Sequence, residues 1–391
     1  MIRTSPKHLA RYVQETRSHF ATRDNELARL AEGDIINIDE EGENTVVHKV
    51  PDVLYPYYVD QQDDFFSMTG FTTLEFDHLF VLSEDTLTQP RRGKKTQVSP
   101  RDILFLLLNY LRRYPKLEEM AATFEIKASS LDKILHKAIN DVAGLWEKKY
   151  IKVPAKDVDL PVDHTVPEVS YVVDATVQQI NKPTLAFNEA KKWWSAKHHF
   201  YCYKSQVITD VKGAALHVVT AIPGATHDIT VFRDHLPEVT ALMERHPNRV
   251  KRILADKGYQ AQDIECLLTP IKCNPGSTLT QDQKLFNERI AKVRIIIENF
   301  FGRLKNRYTI IGSKYRGMCE RYNPIFMICF SLVNFELLYC GWGLRKDDLD
   351  FIRRFETSLR QQEERRVERD REIRQEQKVR RMKRYNRDDT E

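Results

Sequence analysis

The stretch that decides the fold is Tyr171-Val-Val-Asp-Ala-Thr-Val-Gln-Gln-Ile180. Five of its ten residues are β-branched, a composition that favours a buried β-strand. Asp174 lies inside this apolar run, where a charge without a partner is costly to bury. The carboxylate therefore needs a cation, either a basic side chain or a metal ion. We favour the metal ion because two more acids follow in similar settings.

These further acids are Asp256 and Glu298. Asp256 directly follows the short predicted strand Arg252-Ile-Leu-Ala255 and precedes Lys-Gly-Tyr. Glu298 lies on a predicted helix whose apolar residues recur at helical spacing. The residues of this apolar stripe are Ile290, Val293, Ile297, Phe301 and Leu304. The three acids are therefore expected on two strands and one helix.

The elements between these acids also follow a recognisable order. The sequence predicts strands at 200–210 and 214–222, joined by a turn into a hairpin, and a helix after His227. Three strands, a helix, a strand and a helix is the order of an RNase H-like core, an α/β fold with a mixed sheet flanked by helices. In that fold the first and fourth strands are adjacent, so we expect Asp174 and Asp256 to be neighbours.

Three carboxylates arranged in this way suit the hydrolysis or transfer of phosphodiesters. Two divalent ions about 4 Å apart can activate an attacking hydroxyl and stabilise the leaving oxygen. Mg²⁺ prefers oxygen ligands and keeps several waters, so a few acids suffice for two Mg²⁺ or Mn²⁺ ions. We expect Asp174 to bridge both ions, Asp256 to hold one and Glu298 the other. Asp228 lies at the start of the predicted helix after His227 and is a candidate N-cap of that helix.

Composition limits the class of protein. The chain has 391 residues, of which 30% are charged, and a net charge of +5. It contains no apolar run long enough for a membrane span, and its first residues lack the apolar core of a signal peptide. The six cysteines form no CxxC pair, so we expect reduced intracellular thiols. An intracellular protein with local basic clusters most often meets nucleic acid.

The segment 99–145 predicts three consecutive helices that precede the sheet. Ser99-Pro100 has the form of an N-cap followed by proline, and Ser129 with Asp132 has the form of a capping box. Two of the helices are joined by a tight turn, which is typical of a helix-turn-helix domain. The alternative is a three-helix bundle that only packs. The residues expected to face DNA are Ser130, Lys133, His136 and Lys137.

Two further basic clusters are candidates for phosphate contacts. The first is either a solvated turn or a functional segment, which would be a phosphate-contacting arm or a nuclear import signal. It comprises Arg91, Arg92, Lys94 and Lys95. The second lies on the Glu298 helix and comprises Arg294, Arg303, Lys305 and Arg307. For Arg294 an ion pair with Glu298, one helical turn away, is the alternative.

These patterns divide the chain into four parts. We expect a helical and linker region at 1–90, with 55–58 in a loop, and a helix-turn-helix domain at 91–150. A nuclease domain at 165–345 ends in a buried apolar helix that starts near Tyr322. A charged, basic helix or tail follows at 346–391.

Five sequence blocks in this order resemble the DDE transposases of the PIF/Harbinger superfamily, which are related to IS5-type transposases. The blocks are Val-Val-Asp-Ala-Thr, a looser Lys-x-x-Val-Ile-Thr-Asp-x-x-Gly, Pro-Gly-Ala-Thr-His-Asp-Ile-Thr-Val-Phe, Leu-Ala-Asp-Lys-Gly-Tyr and Arg-x-x-x-Glu-Asn-Phe-Phe-Gly-Arg-Leu-Lys. The resemblance covers about 165–340. It implies metal-dependent cleavage at transposon ends and transfer of the 3′ hydroxyl to target DNA, with Asp174, Asp256 and Glu298 as catalytic acids. Asp228 matches a further acid of the family, so the resemblance implies a metal ligand there as the alternative to an N-cap.

The resemblance also implies partners and a location. Double-stranded DNA would be bound by a homo-oligomer, with a Myb-like accessory protein that helps to bind the ends and to enter the nucleus. Two alternatives stay open: a domesticated DNA-binding protein without catalysis, and a host nuclease that no longer transposes.

Overall fold

The computed structural model describes residues 52–88, 98–151, 166–244, 252–261, 263–273 and 278–340. Three predicted segments lie outside these described residues: the basic arm at 91–95, the charged tail at 346–391 and the first part of the N-terminal region, at 1–51. The boundaries predicted for the four parts of the chain stay predictions.

Six helices precede the sheet in the described part of the chain. They are α1 (Leu54–Val59), α2 (Gln62–Thr69), α3 (Thr73–Thr88), α4 (Pro100–Arg113), α5 (Leu117–Thr123) and α6 (Ala128–Tyr150). Ser99 caps α4 by accepting a hydrogen bond from the Asp102 backbone N–H at 3.0 Å, and Pro100 occupies the first helical position, as predicted.

The sheet combines a hairpin with parallel strands. Its strands are β1 (Val169–Gln179), β2 (Trp194–Ser195), β3 (Phe200–Asp210), β4 (Ala215–Pro223), β5 (Arg252–Leu254) and β6 (Leu267–Leu268). Strand β3 pairs antiparallel with β1, β2 and β4, whereas β5 lies parallel to β1 and β6 parallel to β5. The expected adjacency of the first and fourth predicted strands is therefore confirmed. The short strands β2 and β6 were missed because two residues give no period.

Helices cover both faces of this sheet. Between β1 and β3 lies α7 (Phe187–Lys191), and between β4 and β5 lie α8 (Asp228–Asp234) and α9 (Leu236–Glu244). After β6 come α10 (Gln281–Arg307), α11 (Thr309–Gly312) and α12 (Cys319–Cys340). Tyr171 and Val173 of β1 pack with α8 and α9, while Val172 belongs to the larger core with α10 and α12. This alternation puts Asp174 on the α10 face, since side chains two apart share a face.

Helix α12 is the predicted apolar helix, and it lies between the helical part and the sheet. Buried Asn334 accepts a hydrogen bond from the Ala215 N–H at 2.9 Å and donates to the Tyr150 carbonyl at 3.0 Å. One hydrophobic core therefore joins α2, α3, α4 and α6 to the sheet, and α1 packs against it. Within the described residues, no helix is both long and apolar enough to cross a membrane.

The structure corrects the expectation of a loop at Tyr55-Pro56-Tyr57-Tyr58, which lies in α1. The cap of this helix comes from a distant residue. The Asp102 carboxylate accepts hydrogen bonds from the backbone N–H groups of Val53, Leu54 and Tyr55 at 2.8–3.0 Å. Sequence periodicity carries no signal of a cap supplied from almost fifty residues away.

The predicted capping box at Ser129 and Asp132 is wrong. Helix α6 begins at Ala128 with Lys127 as a cap that makes no side-chain hydrogen bond. Asp132 instead accepts two hydrogen bonds from the Arg321 guanidinium at the start of α12, one of them at 2.9 Å. The acid that looked like a local cap is used to fasten α6 to α12.

Candidate active site

Asp174 sits in the middle of the β1 strand with its side chain 19% exposed. Burial raises the pKa of this carboxyl to about 6, and the nearby Asp256 and Asp228 carboxylates raise it further, against the lowering effects of the Ala175 N–H and Arg294. The Ala175 backbone N–H donates to Asp174 at 2.8 Å. A carboxyl held in this way among other acids gains from any cation placed between them.

The strand register brings Asp256 to the same level of the sheet as Asp174. Val172 of β1 pairs with Leu254 of β5, and each acid lies two residues beyond its member of this pair. Asp256 caps the 3₁₀ turn Lys257–Tyr259 by accepting from the Gly258 N–H. A methyl group on Gly258 would lie 2.9 Å from Asp256 Oδ1 and 3.8 Å from Asp228 Oδ2, so both carboxylates border this glycine.

Asp228 opens α8, but its carboxylate does not cap the helix. The N-cap is His227, which makes no side-chain cap bond. Lys204 of β3 donates to Asp228 Oδ1 at 2.6 Å and to the Thr226 carbonyl at 2.5 Å. The structure therefore rejects the N-cap interpretation and shows an ion pair inside the acidic site.

Glu298 is presented by α10, whose N-terminus has a complete capping box between Thr280 and Gln283. The predicted apolar stripe of this helix is buried, whereas Glu298 itself is exposed. Arg294 joins the two acids: its Nη2 lies 2.9 Å from Glu298 Oε1 and 3.8 Å from Asp174 Oδ2. The predicted ion pair of Arg294 is confirmed, and it extends to the first catalytic candidate.

Two residues that were not predicted from the sequence, Tyr259 and Gln206, lie beneath the acids in the protein interior. Tyr259 is fully buried, and the pKa of its hydroxyl is raised well above 10 by burial and by the charges of Asp228, Asp174 and Asp256. Gln206 donates to the Tyr259 hydroxyl at 3.0 Å and to the Asp228 carbonyl at 2.9 Å. The Ala-Asp-Lys-Gly-Tyr block contained the signal, because its tyrosine is fixed three residues after an acid.

The donor set fits hard divalent cations, since all four acids offer oxygen ligands. Even so, no group of three or more histidine, cysteine or acidic side chains in the described residues is arranged so that it could hold a metal ion. The cations of the chain itself explain this arrangement. Arg294 neutralises Asp174 and Glu298, and Lys204 neutralises Asp228. A metal ion bound by Asp174 or Glu298 would compete with Arg294, and one bound by Asp228 would compete with Lys204.

The candidate DNA-facing residues of α6 differ in their surroundings. Ser130 and Lys133 are exposed. Lys137 is half-buried and pairs with Asp141 at 2.5 Å, and His136 lies 3.4 Å from the Asn140 amide. Only the first two therefore present unshielded polar groups to a partner.

The basic residues of α10 also differ in their exposure to solvent. Arg303 is partly exposed, and burial lowers the pKa of Lys305. Arg307 is only 3% exposed and pairs with the equally buried Glu336 of α12 at 3.3 Å. The predicted phosphate contact of Arg307 is wrong for this structure, because helical periodicity continues past the edge of the site into the core.

Comparison with known proteins agrees with this geometry. Residues 173–334 match the family described as DDE superfamily endonuclease, and this segment contains all four acids. A probable transposase for insertion sequence element IS702 from Microchaete diplosiphon is 24% identical over 273 residues, which cover 69% of this chain and 93% of that protein. No solved structure matches the chain. The segment 173–334 is thus similar to the DDE superfamily endonucleases.

Proposed function

We propose that this protein is a DNA transposase that cleaves phosphodiester bonds at the ends of a mobile element and joins the 3′ ends to target DNA. The observation that carries the proposal is that Asp174 lies close enough to Asp228 and Asp256 for their charges to raise its pKa, while Arg294 links it to Glu298. Three mutually repelling acids from different elements, with a fourth joined to them by an arginine, support a functional site.

Asp174, Asp256 and Glu298 would hold two Mg²⁺ or Mn²⁺ ions, with Asp228 as a further ligand. When bound, these ions supply Lewis acidity for the attacking hydroxyl and the leaving oxygen. The protein contributes the positions. The hydrogen bonds of Gln206 to Tyr259 and to the Asp228 carbonyl hold the loops of Asp228 and Asp256 in place. The buried apolar stripe fixes α10, and with it the backbone of Glu298.

DNA would be bound outside this site by the helical part of the chain. Helices α4, α5 and α6 share a small core of their own around Leu106, Met120 and Leu131. Lys133 and Ser130 lie on the exposed face of α6, as a recognition helix in a major groove requires. Within transposases, the sequence blocks favour the PIF/Harbinger type, and with it a nuclear location, a Myb-like accessory protein and a homo-oligomer on DNA.

The test is cleavage of DNA by wild type and by Asp256→Asn, with Mg²⁺ or Mn²⁺ and with DNA that carries the terminal repeats flanking the gene. Asparagine keeps the size of the side chain but removes the charge that holds a hard cation. We expect cleavage to fall by about a hundredfold to a thousandfold, by analogy with the loss of one electrostatic stabiliser, while DNA binding is retained. Asp263→Asn is the matched control, because Asp263 lies on the surface in a pair with Arg233.

Three outcomes discriminate. Equal cleavage by wild type and Asp256→Asn would show that Asp256 is not a ligand. Cleavage without strand joining would favour a host nuclease. Binding without any cleavage by the wild type, with an accessory protein supplied, would favour a domesticated DNA-binding protein.

A further inference from the structure

A short hairpin lies directly beside the loop that carries Asp228. The hairpin, residues 194–201, is built by β2 and the start of β3, with Trp194 opposite Tyr201 and Ser195 opposite Phe200. The segment leading into it is hydrogen-bonded on both sides. The Cys202 N–H donates to the Trp193 carbonyl at 2.8 Å, and the Ala225 N–H donates to the Lys192 carbonyl at 3.0 Å.

Gly224 makes this contact possible. A Cβ atom at this position would lie 2.5 Å from Cys202 Sγ and 2.7 Å from the Trp193 carbonyl oxygen, both closer than atoms can approach. The glycine of the Pro-Gly-Ala-Thr-His-Asp block therefore permits backbone-to-backbone packing. As a result, the position of the hairpin is fixed relative to Asp228, four residues farther along the chain.

The hairpin presents an aromatic ring and several basic groups to solvent. Trp194 is 37% exposed, and its ring packs edge-on against Tyr201 with 5.1 Å between the ring centroids. Lys197, His198 and His199 in the turn are exposed. An exposed tryptophan beside lysines is typical of surfaces on which nucleic acid bases stack.

The charges of the neighbouring elements add to this surface. Partial burial lowers the pKa of His198, and so do the positive charges of Lys197, Lys305 and Lys204. These lysines come from the turn, from α10 and from β3, and Lys204 is also the partner of Asp228. The positive charges beside the acidic site therefore extend into the hairpin.

We propose that the hairpin 194–201 binds unpaired nucleotides next to the scissile phosphate, with a base stacked on Trp194 and a phosphate at Lys197. This inference rests on the proposed DNA cleavage. It specifies that the DNA strand beside the acids is unpaired. Tyr201, the partner of Trp194, lies three residues from Lys204, or about 10 Å along a strand. A strand that leaves the duplex at the acids would therefore reach the tryptophan within a short stretch. A paired base offers no free face, so the surface should prefer opened DNA.

The test measures binding without metal, so that it does not depend on cleavage. Two fluorescent probes are compared by anisotropy in EDTA: a duplex with a short oligo-dT single-stranded arm, and the same duplex fully paired. We expect the wild-type full-length protein to bind the armed probe more tightly. Trp194→Ala should weaken binding of the armed probe by about tenfold, the scale of one stacked base, and leave the paired probe unchanged.

The control variants isolate stacking from folding and from charge. Trp194→Phe should retain most of the preference, because a ring remains. Tyr57→Ala removes another exposed aromatic residue, 65% exposed on α1, and should change neither probe. Lys197→Ala should weaken binding of the armed probe and lower the salt dependence of that binding. Lys212→Ala, in the exposed β3–β4 turn, should have neither effect.

Unchanged binding of the armed probe by a folded Trp194→Ala protein would overturn the inference, and so would an equal loss on both probes. The proposed function fails on a separate measurement, the cleavage assay with Asp256→Asn, so the two failures are distinguishable.

Discussion

The Arg294 guanidinium bridges Glu298, at 2.9 Å, and Asp174, at 3.8 Å. These are two of the three acids expected to hold metal ions, and they belong to different elements, α10 and β1. The arginine thus stands where a divalent cation would satisfy the same carboxylates. It acts as an internal counter-ion for a site that would otherwise repel itself.

Replacing this counter-ion should have opposite effects without and with metal. In EDTA, Arg294→Ala should lower the free energy of unfolding by about 1 kcal/mol, because the partly exposed ion pairs are lost. With Mn²⁺, the rise in Tm should be larger than for wild type, because the metal no longer competes with a guanidinium. Thermal denaturation across a Mn²⁺ titration measures both effects.

The control for Arg294 lies on the same helix. Arg289 is exposed on α10, and Arg289→Ala should change neither the metal-free Tm nor the response to Mn²⁺. A Mn²⁺ response of Arg294→Ala no larger than that of wild type would show that the arginine does not compete with metal.

The second prediction concerns the pH dependence set by Asp174. Its pKa is raised from 3.8 to about 6, so between these values the folded state binds more protons than the unfolded state. Stability contributed by this group is therefore lost as pH rises through about 6. In EDTA, Asp174→Asn should be as stable as wild type near pH 4 and more stable above pH 6, by at most about 3 kcal/mol. Urea denaturation at several pH values measures the difference, and a gap that does not change with pH would refute the pKa assignment.

The sequence predicted the helices and strands of the active site better than the contacts between them. The Tyr171 stretch is rich in β-branched residues and the α10 stripe has helical spacing, so the sequence predicts both elements and the neighbouring strands β1 and β5. The roles of Lys204 and Gln206 were not predicted, because they depend on contacts from β3 to the start of α8. Likewise, helical spacing could not show that Arg307 enters the core.

The third prediction separates two lysines of α6. Lys133 is exposed, whereas Lys137 is held by Asp141 at 2.5 Å. If α6 enters a major groove, Lys133→Ala should weaken binding of duplex DNA and reduce the slope of log K against log salt by about 1. Lys137→Ala should have a smaller effect, since its charge is already paired within the helix. Anisotropy titrations at several salt concentrations provide the slopes, and equal slopes for Lys133→Ala and wild type would leave α6 as a packing helix.

The fourth prediction tests the packing that positions Asp228. Gly224→Ala would force its methyl group onto Cys202 Sγ and the Trp193 carbonyl. The loop must shift, so we expect a loss of about 1–3 kcal/mol, as for overpacked cores. Cleavage should fall more than stability explains, because the Lys204–Asp228 pair moves with the loop. Gly144→Ala is the matched control, since a Cβ there meets no atom within 4 Å. Full cleavage by a folded Gly224→Ala protein would show that the loop position is not critical.

The last prediction distinguishes two arginines four residues apart on α10. Arg303 is partly exposed near the site, whereas Arg307 pairs with Glu336 in the core, with both side chains less than 5% exposed. Removing one partner of a buried ion pair leaves an uncompensated charge, so Arg307→Ala should lower the free energy of unfolding by about 3–5 kcal/mol. The double variant Arg307→Met with Glu336→Leu should recover most of that loss, because neither charge remains buried. Arg303→Ala should instead leave stability nearly unchanged and weaken DNA binding. Urea denaturation and DNA anisotropy on the same four proteins separate these roles. A stable Arg307→Ala protein that binds DNA poorly would return Arg307 to the DNA-contacting surface.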